Sequence, residues 1–415
     1  MRIAIIGTGI SGLTCAHLLA PHHEVTVFER DGRPGGHTNT VRVEFEAEAH
    51  DVDTGFIVYN ERNYPGLVRL FARLGVATKA SDMSFSVSDP QSGIEWRATS
   101  PNTMFAQRRN LLRPEFVRAL AAILRFNRAA RRQLAAGIPE SATLADLVAR
   151  GRYSDKLVDW YLAPMVAAIW SAAPARALEI PAGTFARFFE NHGLLSLGDQ
   201  PRWRTVDGGA RTYVERILRP LSRRVRLNTP VAKVARRTEG VEVLSERFGP
   251  EIFDHVIFAT HSDQSLALLG DPTSAEREVL GAIRYQPNSA VLHSDARLLP
   301  RTKRARASWN YRLAPEQDRG ATLTYHLNRL QSLHSRHEIC VTLNQDAAID
   351  PESVHAVFAY DHPVLDGAAV AAQKRHGEIN GKNGTWYCGA YWGYGFHEDG
   401  VQSALRVCRT FGAPL

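Results

Sequence analysis

Apolar residues fall in short runs along this chain, and the spacing within the runs changes from one stretch to the next. Ile3-Ala4-Ile5-Ile6 is continuous and has the length of a buried parallel strand. Gly7-Thr8-Gly9-Ile10-Ser11-Gly12 follows at once, then Leu13 to Ala20, which predicts a helix stopped by Pro21. Val25-Thr26-Val27-Phe28 predicts a second strand, ending on Glu29. The chain therefore begins as a β-α-β unit of about 30 residues.

Residues 31–60 are polar and glycine-rich, and from about residue 62 the pattern turns helical and basic. Arg108 to Arg132 holds eight arginines and one acidic residue, Glu115. Pro114 suits a helix N-terminus, and Phe116, Leu120, Ile123, Leu124 and Asn127 are expected to share one face of that helix. Strand-like text returns at 205–285, with a hairpin expected at Val231–Val234 and Val241–Leu244 and a buried strand at Val256–Ala259. Residues 286–383 alternate apolar and polar positions. The tail predicts a short strand, an aromatic and glycine-rich loop, and a helix from about Val401. One nucleotide-binding lobe is expected from residues 1–60, 205–285 and 384–415. The insertions 61–204 and 286–383 are expected to form a substrate lobe.

Composition narrows the class. A chain of 415 residues exceeds one ordinary core. Its 44% hydrophobic and 22% charged residues are globular values. The net charge of +7, mostly from arginine, points to an anionic partner, and no nucleic-acid-binding motif accompanies it. The four cysteines, Cys15, Cys340, Cys388 and Cys408, have neither disulfide-framework nor metal-ligand spacing, so a reducing, cytoplasmic setting is expected. No secretory signal or membrane-spanning run is recognisable, and no metal is expected.

Two motifs carry chemistry. Gly7, Gly9 and Gly12 form G-x-G-x-x-G between a strand and a helix, the arrangement that sets a pyrophosphate on a helix N-terminus, with Ile10 and Ser11 in the same turn. Glu29 lies 17 residues after Gly12, where a ribose-binding carboxylate belongs, with Arg30 beside it. Arg33-Pro34-Gly35-Gly36-His37-Thr38 then lets bare backbone lie against a cofactor. Together the motifs point to FAD rather than NAD.

The run from Ile3 to Thr38 resembles the FAD-binding signature of the flavin amine oxidase, carotenoid desaturase and protoporphyrinogen oxidase superfamily. Thr229-Pro230-Val231, followed by the strand through Ala259 and Thr260, looks like that family's middle FAD segment. Gly389 and His397-Glu398-Asp399-Gly400-Val401 resemble its C-terminal segment, and Asp53-Thr54-Gly55 its turn facing the flavin. The implied fold is α/β: a Rossmann-like FAD domain of glutathione-reductase type with an inserted α+β substrate domain, as in amine oxidases. Two departures are present: His37 stands where amine oxidases carry arginine, and Gly389 is followed by Ala390-Tyr391 instead of an acidic residue two positions on.

A narrower resemblance covers nearly the whole chain. Ala259 to Gln264 and Tyr387 to Gly400 look like a bacterial group of flavoproteins encoded beside cyclopropane-fatty-acid-synthase-like methyltransferases. That group includes the dehydrogenase of furan fatty acid formation. It implies a methyl-branched unsaturated acyl chain of a phospholipid as substrate, desaturation as the reaction and a methyltransferase as partner. His397 is the first choice for the base, with Glu398 orienting it or taking its place, or else His397 caps the helix or binds the flavin. Tyr391 and Trp392 flank substrate or are core aromatics. His37 is a second candidate near the isoalloxazine, or a loop residue. The arginine helix lies on anionic lipid at the inner membrane face, or is a solvated charged face. Amine oxidation and a non-catalytic flavoprotein partner of the methyltransferase are the competing functions.

Overall fold

The computed structural model describes residues 1–196, 198, 200–313 and 322–415. The remaining positions, all within the two expected insertions, lie outside the described residues. β1 (Arg2–Ile6), α1 (Ile10–Leu19) and β2 (Glu24–Phe28) form the expected opening unit. β1 is central in a five-stranded parallel sheet ordered Val225–Arg226, β2, β1, His255–Phe258, Thr385–Tyr387. Ile5 pairs with Val27 on one side and Ile257 on the other, and all three are fully buried. Burial on both faces explains why these strands read as unbroken apolar runs. The order reverses at β1, which creates a crevice at the strands' C-terminal ends.

A seven-stranded sheet runs Val354–Pro363, Tyr285–His293, Cys340–Leu343, Leu323–His326, Trp309–Arg312, Phe85–Asp89, Ile94–Arg97. Its strands come from both inserted stretches, and Trp309–Arg312 pairs parallel with Phe85–Asp89 to join them. The expected hairpin is present as Val231–Arg237 with Gly240–Ser245, extended by Gly249–Phe253. The helix Pro65–Leu74 packs Leu67, Leu70 and Phe71 into the core that holds Ile3 and Ile5.

The arginine-rich helix spans Pro114–Ala136 and is preceded by a short turn, Arg108–Leu112. Its buried face is Phe116, Ala119, Ala122, Phe126 and Ala130, rotated from the expected one. Leu124, expected beside Phe116, is 47% exposed. Alanines occupy the inner face because the helix lies close against the aromatic packing of Phe126, Phe185 and Phe189. Replacing Ala122 by Leu would overfill that contact and is expected to lower stability by about 1–3 kcal/mol. Leu124→Ser should change it by less than about 0.5 kcal/mol. Urea unfolding of the two variants checks the assignment.

Candidate cofactor and active site

The glycine turn after β1 is built by close approach. A Cβ on Gly12 would lie 2.0 Å from the Gly7 carbonyl oxygen, so only glycine lets α1 sit there. Above Gly9, by contrast, nothing lies within 4 Å. Gly9 caps α1 without any side-chain bond, so the first-turn N–H groups face this open space as an anion site. Gly36, at φ 58°, brings its backbone against the Gly9 Cα, at 3.2 Å from its own Cβ position. The Gly35 N–H donates to Thr8 Oγ1 at 3.1 Å. Ala259 and Thr260 close the other side of the turn, over Gly7.

A second helix N-terminus comes in beside the first. Ser11 Oγ donates to the Gly400 carbonyl at 3.0 Å, and Ile10 lies against the Gly400 backbone. Val401 is fully buried next to them, and the Gly389 N–H donates to Ser403 Oγ at 2.9 Å. Asp399 accepts from the Phe396 N–H at 2.9 Å, and this capping starts the last helix at His397, four residues before the expected Val401. Burial raises the Asp399 carboxyl to about 6.

Glu29 stands at the end of β2. Its carboxylate accepts from the Thr8 N–H at 2.9 Å, from the Thr8 hydroxyl and from the Asp31 N–H at 3.0 Å. The Thr229 N–H donates to the Glu29 carbonyl at 2.8 Å, which brings the segment entering Val231 alongside. Arg30 is not brought in; it is exposed and pairs with Asp31.

His37, Thr38, Thr54 and Gly55 form one loop pair. The Phe56 N–H donates to the His37 carbonyl at 2.9 Å, and Gly55 presses on the same carbonyl. The Tyr360 hydroxyl, from the seven-stranded sheet, bonds Thr54 Oγ1 at 2.8 Å and Asn39 Nδ2 at 3.0 Å. The His37 ring stacks on Tyr360 at 5.0 Å and lies 5.4 Å from His362 and 6.3 Å from His261. Burial, then the neighbouring imidazoles, pushes His37 well below its ordinary pKa, and burial pushes His362 down to about 4. His37 Nε2 and His261 Nδ1 are buried with no hydrogen-bond partner among the described residues. Sequence reasoning missed Tyr360, His362 and His261, whose neighbourhood exists only where the seven-stranded sheet meets the cofactor loops.

Asp53, quoted only as part of a turn motif, is fully buried. It accepts from the Ala210 N–H at 2.9 Å, Thr40 Oγ1 at 2.5 Å and Gln331 Nε2 at 3.0 Å. It thereby ties the loop pair to the helix Arg211–Leu218 and to the far sheet. Burial raises it to about 7.

Four catalytic expectations need correction. His397 Nε2 is engaged by Thr38 Oγ1 at 3.0 Å and the Tyr213 hydroxyl at 3.3 Å, and its ring stacks on Phe56 at 3.7 Å. These contacts occupy Nε2 and make the ring a clamp on the loop pair rather than the base; burial lowers its pKa to about 3. Glu398 does not orient it: both its oxygens accept, at 2.9 Å each, the N–H groups of Gly66 and Leu67 that open the helix Pro65–Leu74. Tyr391 and Trp392 belong to the core behind the sheet, with Trp392 edge-on to His376 at 4.4 Å.

A shallow cleft, open to solvent and enclosing about 40 Å³, ends at His362. Val166, Trp170, Ala172, Ala173, Ile180 and Leu365 supply its apolar wall. Among the described residues no group of histidine, cysteine or acidic side chains could hold a metal ion.

A match to the flavin containing amine oxidoreductase family covers residues 10–296. This chain belongs to that family. It is an FAD-dependent oxidoreductase, and the open anion site over Gly9, the Glu29 carboxylate and the unpartnered imidazole nitrogens fit such a dinucleotide. Solved structures carry the same fold over the full chain. Cyclohexylamine oxidase from Brevibacterium oxydans aligns over 99% of both chains at 16% identity and a TM-score of 0.67. Putrescine oxidase bound to putrescine aligns over 100% of this chain and 99% of its own, at 14% identity and 0.69. A fatty acid isomerase from P. acnes that produces CLA aligns over 99% and 98%, at 17% identity and 0.69. A flavin-containing monooxygenase, ustF2 of Aspergillus flavus, is 39% identical over 72 residues; the match spans 16% of this chain and 15% of that protein's length.

Two predictions follow from this geometry. Gly12→Ala forces its methyl onto the Gly7 carbonyl, and the purified variant should have lost most of its flavin absorbance near 450 nm. The second concerns acid. His37, His362 and His397, with His192 and His293 at about 4, are held neutral by burial. Their folded pKa values lie below the unfolded value near 6.5, so their stabilisation is present above that pH and is lost as pH falls through it. Asp53 and Asp399 act oppositely, because their raised values favour the folded form as pH falls below 7 and 6. Five groups outweigh two, so Tm should fall between pH 7.5 and 5. Asp53→Asn, which removes one offset, should steepen that fall.

Proposed function

We propose that this enzyme dehydrogenates an unsaturated fatty acyl chain, specifically a methyl-branched chain of a phospholipid, and leaves a second double bond. The observation that carries the reading is the apolar cleft ending at His362, beside the His37 ring. Its walls are alkyl and aromatic, as an acyl chain requires. Both carboxylates lining the cleft are engaged, Glu179 by Arg176 at 2.8 Å, and Asp366 by Arg284 at 2.6 Å and the Ala369 N–H at 2.9 Å, so the apolar wall is what remains to meet a substrate.

FAD, when bound, supplies the two-electron acceptor for the hydride leaving the allylic carbon. The apolar wall of the cleft packs along the chain. The Asn288 amide donates to His362 Nδ1 at 3.2 Å, which fixes that ring at the inner end of the cleft. His37, whose buried Nε2 has no partner among the described residues, accepts the proton from the neighbouring carbon.

Anaerobic mixing with a methyl-branched, monounsaturated phospholipid should bleach the flavin near 450 nm and yield a diene in the extracted lipid. His37→Gln should keep its flavin and lose about 100-fold or more in kcat. Bleaching by a panel of amines and not by lipid would instead establish an amine oxidase. A flavin that stays oxidised with both would favour a non-catalytic partner of a lipid methyltransferase.

A further inference from the structure

Four large apolar side chains stand in solvent along one edge of the helical layer. Leu111 is 53% and Leu112 87% exposed in the turn Arg108–Leu112, and Val117 and Leu124 are 45% and 47% exposed on the helix after it. Helical spacing puts Val117, Ala121, Leu124 and Arg128 in one row, with Arg118, Arg125 and Arg132 in the next. The leucine pair lies at the N-terminal end of these rows. Isolated exposed leucines need no explanation, but four exposed apolar side chains within residues 111–124, interleaved with cations, mark a contact surface.

Most of the charge on this surface is uncompensated. Of the eight arginines from Arg108 to Arg132, Arg131 alone is ion-paired among the described residues, with Glu190 at 3.1 Å. Arg108, Arg109 and Arg113 donate to the carbonyls of Phe105, Gly93 and Ser92, and Arg125 lies over the Tyr153 ring. These partners are neutral. The inner face of the helix is already filled by Phe116, Phe126 and the three alanines, so the outer row serves no internal packing.

We propose that this edge docks the enzyme on an anionic phospholipid surface, with Leu111 and Leu112 entering the acyl boundary and the arginines meeting phosphates. The pairing of apolar tip and flanking cations is what selects a bilayer: a nucleic acid would engage the arginines and leave the leucines in water. Among the described residues no helix is long and apolar enough to cross a membrane, so the contact is interfacial. The inference stands without the acyl-substrate reading.

Flotation of the flavin-loaded protein with vesicles tests it. Binding is expected to phosphatidylcholine vesicles containing one third phosphatidylglycerol, and not to phosphatidylcholine alone. The double variant Leu111→Ser/Leu112→Ser should cut partitioning at least tenfold, roughly the effect of withdrawing two leucines from the interface. Arg118→Gln, Arg125→Gln and Arg128→Gln should each weaken it about fivefold. The variants alter exposed positions, so an unchanged flavin spectrum and Tm would confirm that they fold. Equal binding to both vesicle types, or binding to neither, overturns the proposal. So does a leucine variant that floats like the parent while single-stranded RNA competes, the behaviour of a plain polyanion site. Turnover of detergent-dispersed acyl substrate should survive the leucine substitutions. Intact vesicle binding without such turnover in the parent would sink the substrate reading alone.

Discussion

The C-terminal helix can reach the dinucleotide turn only because position 400 carries no side chain. A Cβ on Gly400 would sit 2.7 Å from Ile10 and 2.9 Å from Ser11 Oγ. With hydrogen there, the Ser11 hydroxyl meets the Gly400 carbonyl, and two helix N-termini open onto the same crevice. The positive ends of both helices are thus brought to one place, which is the electrostatic condition for holding a dianionic pyrophosphate. The residues between these two helices fold as excursions from that contact. The loop pair at His37 and Phe56 is secured to it by His397, and the helix Pro65–Leu74 by Glu398. Side chains that look like catalytic machinery in the linear text are therefore the clamps of the frame.

Legibility in the sequence followed the range of the interactions. β1, α1, β2, the hairpin at Val231 and the strand at Val256 depend on neighbours in the chain and on burial of both sheet faces, and these were readable. The glycine turn was readable because its steric demands are local. The inner face of the arginine helix was not, because it is decided by how closely another helix approaches. Large residues suggested Leu120 and Leu124, and the packing selected Ala119, Ala122 and Ala130. The start of the last helix was missed for a smaller reason: Asp399 caps it from inside its own first turn, so the stretch that reads as loop is already helical.

The candidate active site was the least legible part. His37, His261 and His362 are each more than 100 residues apart in the chain and come together only where the seven-stranded sheet meets the cofactor loops. Tyr360 carries that meeting, since its hydroxyl bridges Thr54 and Asn39 while its ring supports His37. Asp53 joins the same three regions through a buried carboxylate. No motif marks such residues, because each is defined by partners drawn from another part of the chain.

The fifth strand of the parallel sheet, Thr385–Tyr387, and the helix that completes the pyrophosphate crevice, His397–Thr410, come after every other part of the cradle along the chain. During synthesis they emerge only after β1, its glycine turn and His255–Phe258. Until then β1 and His255–Phe258 form a sheet with an unpaired edge, and Ile10 and Ser11 face water. The nascent chain consequently has no finished cradle for its dinucleotide. Cofactor capture waits for these two segments, and the half-built sheet edge is the stretch a chaperone would have to shield.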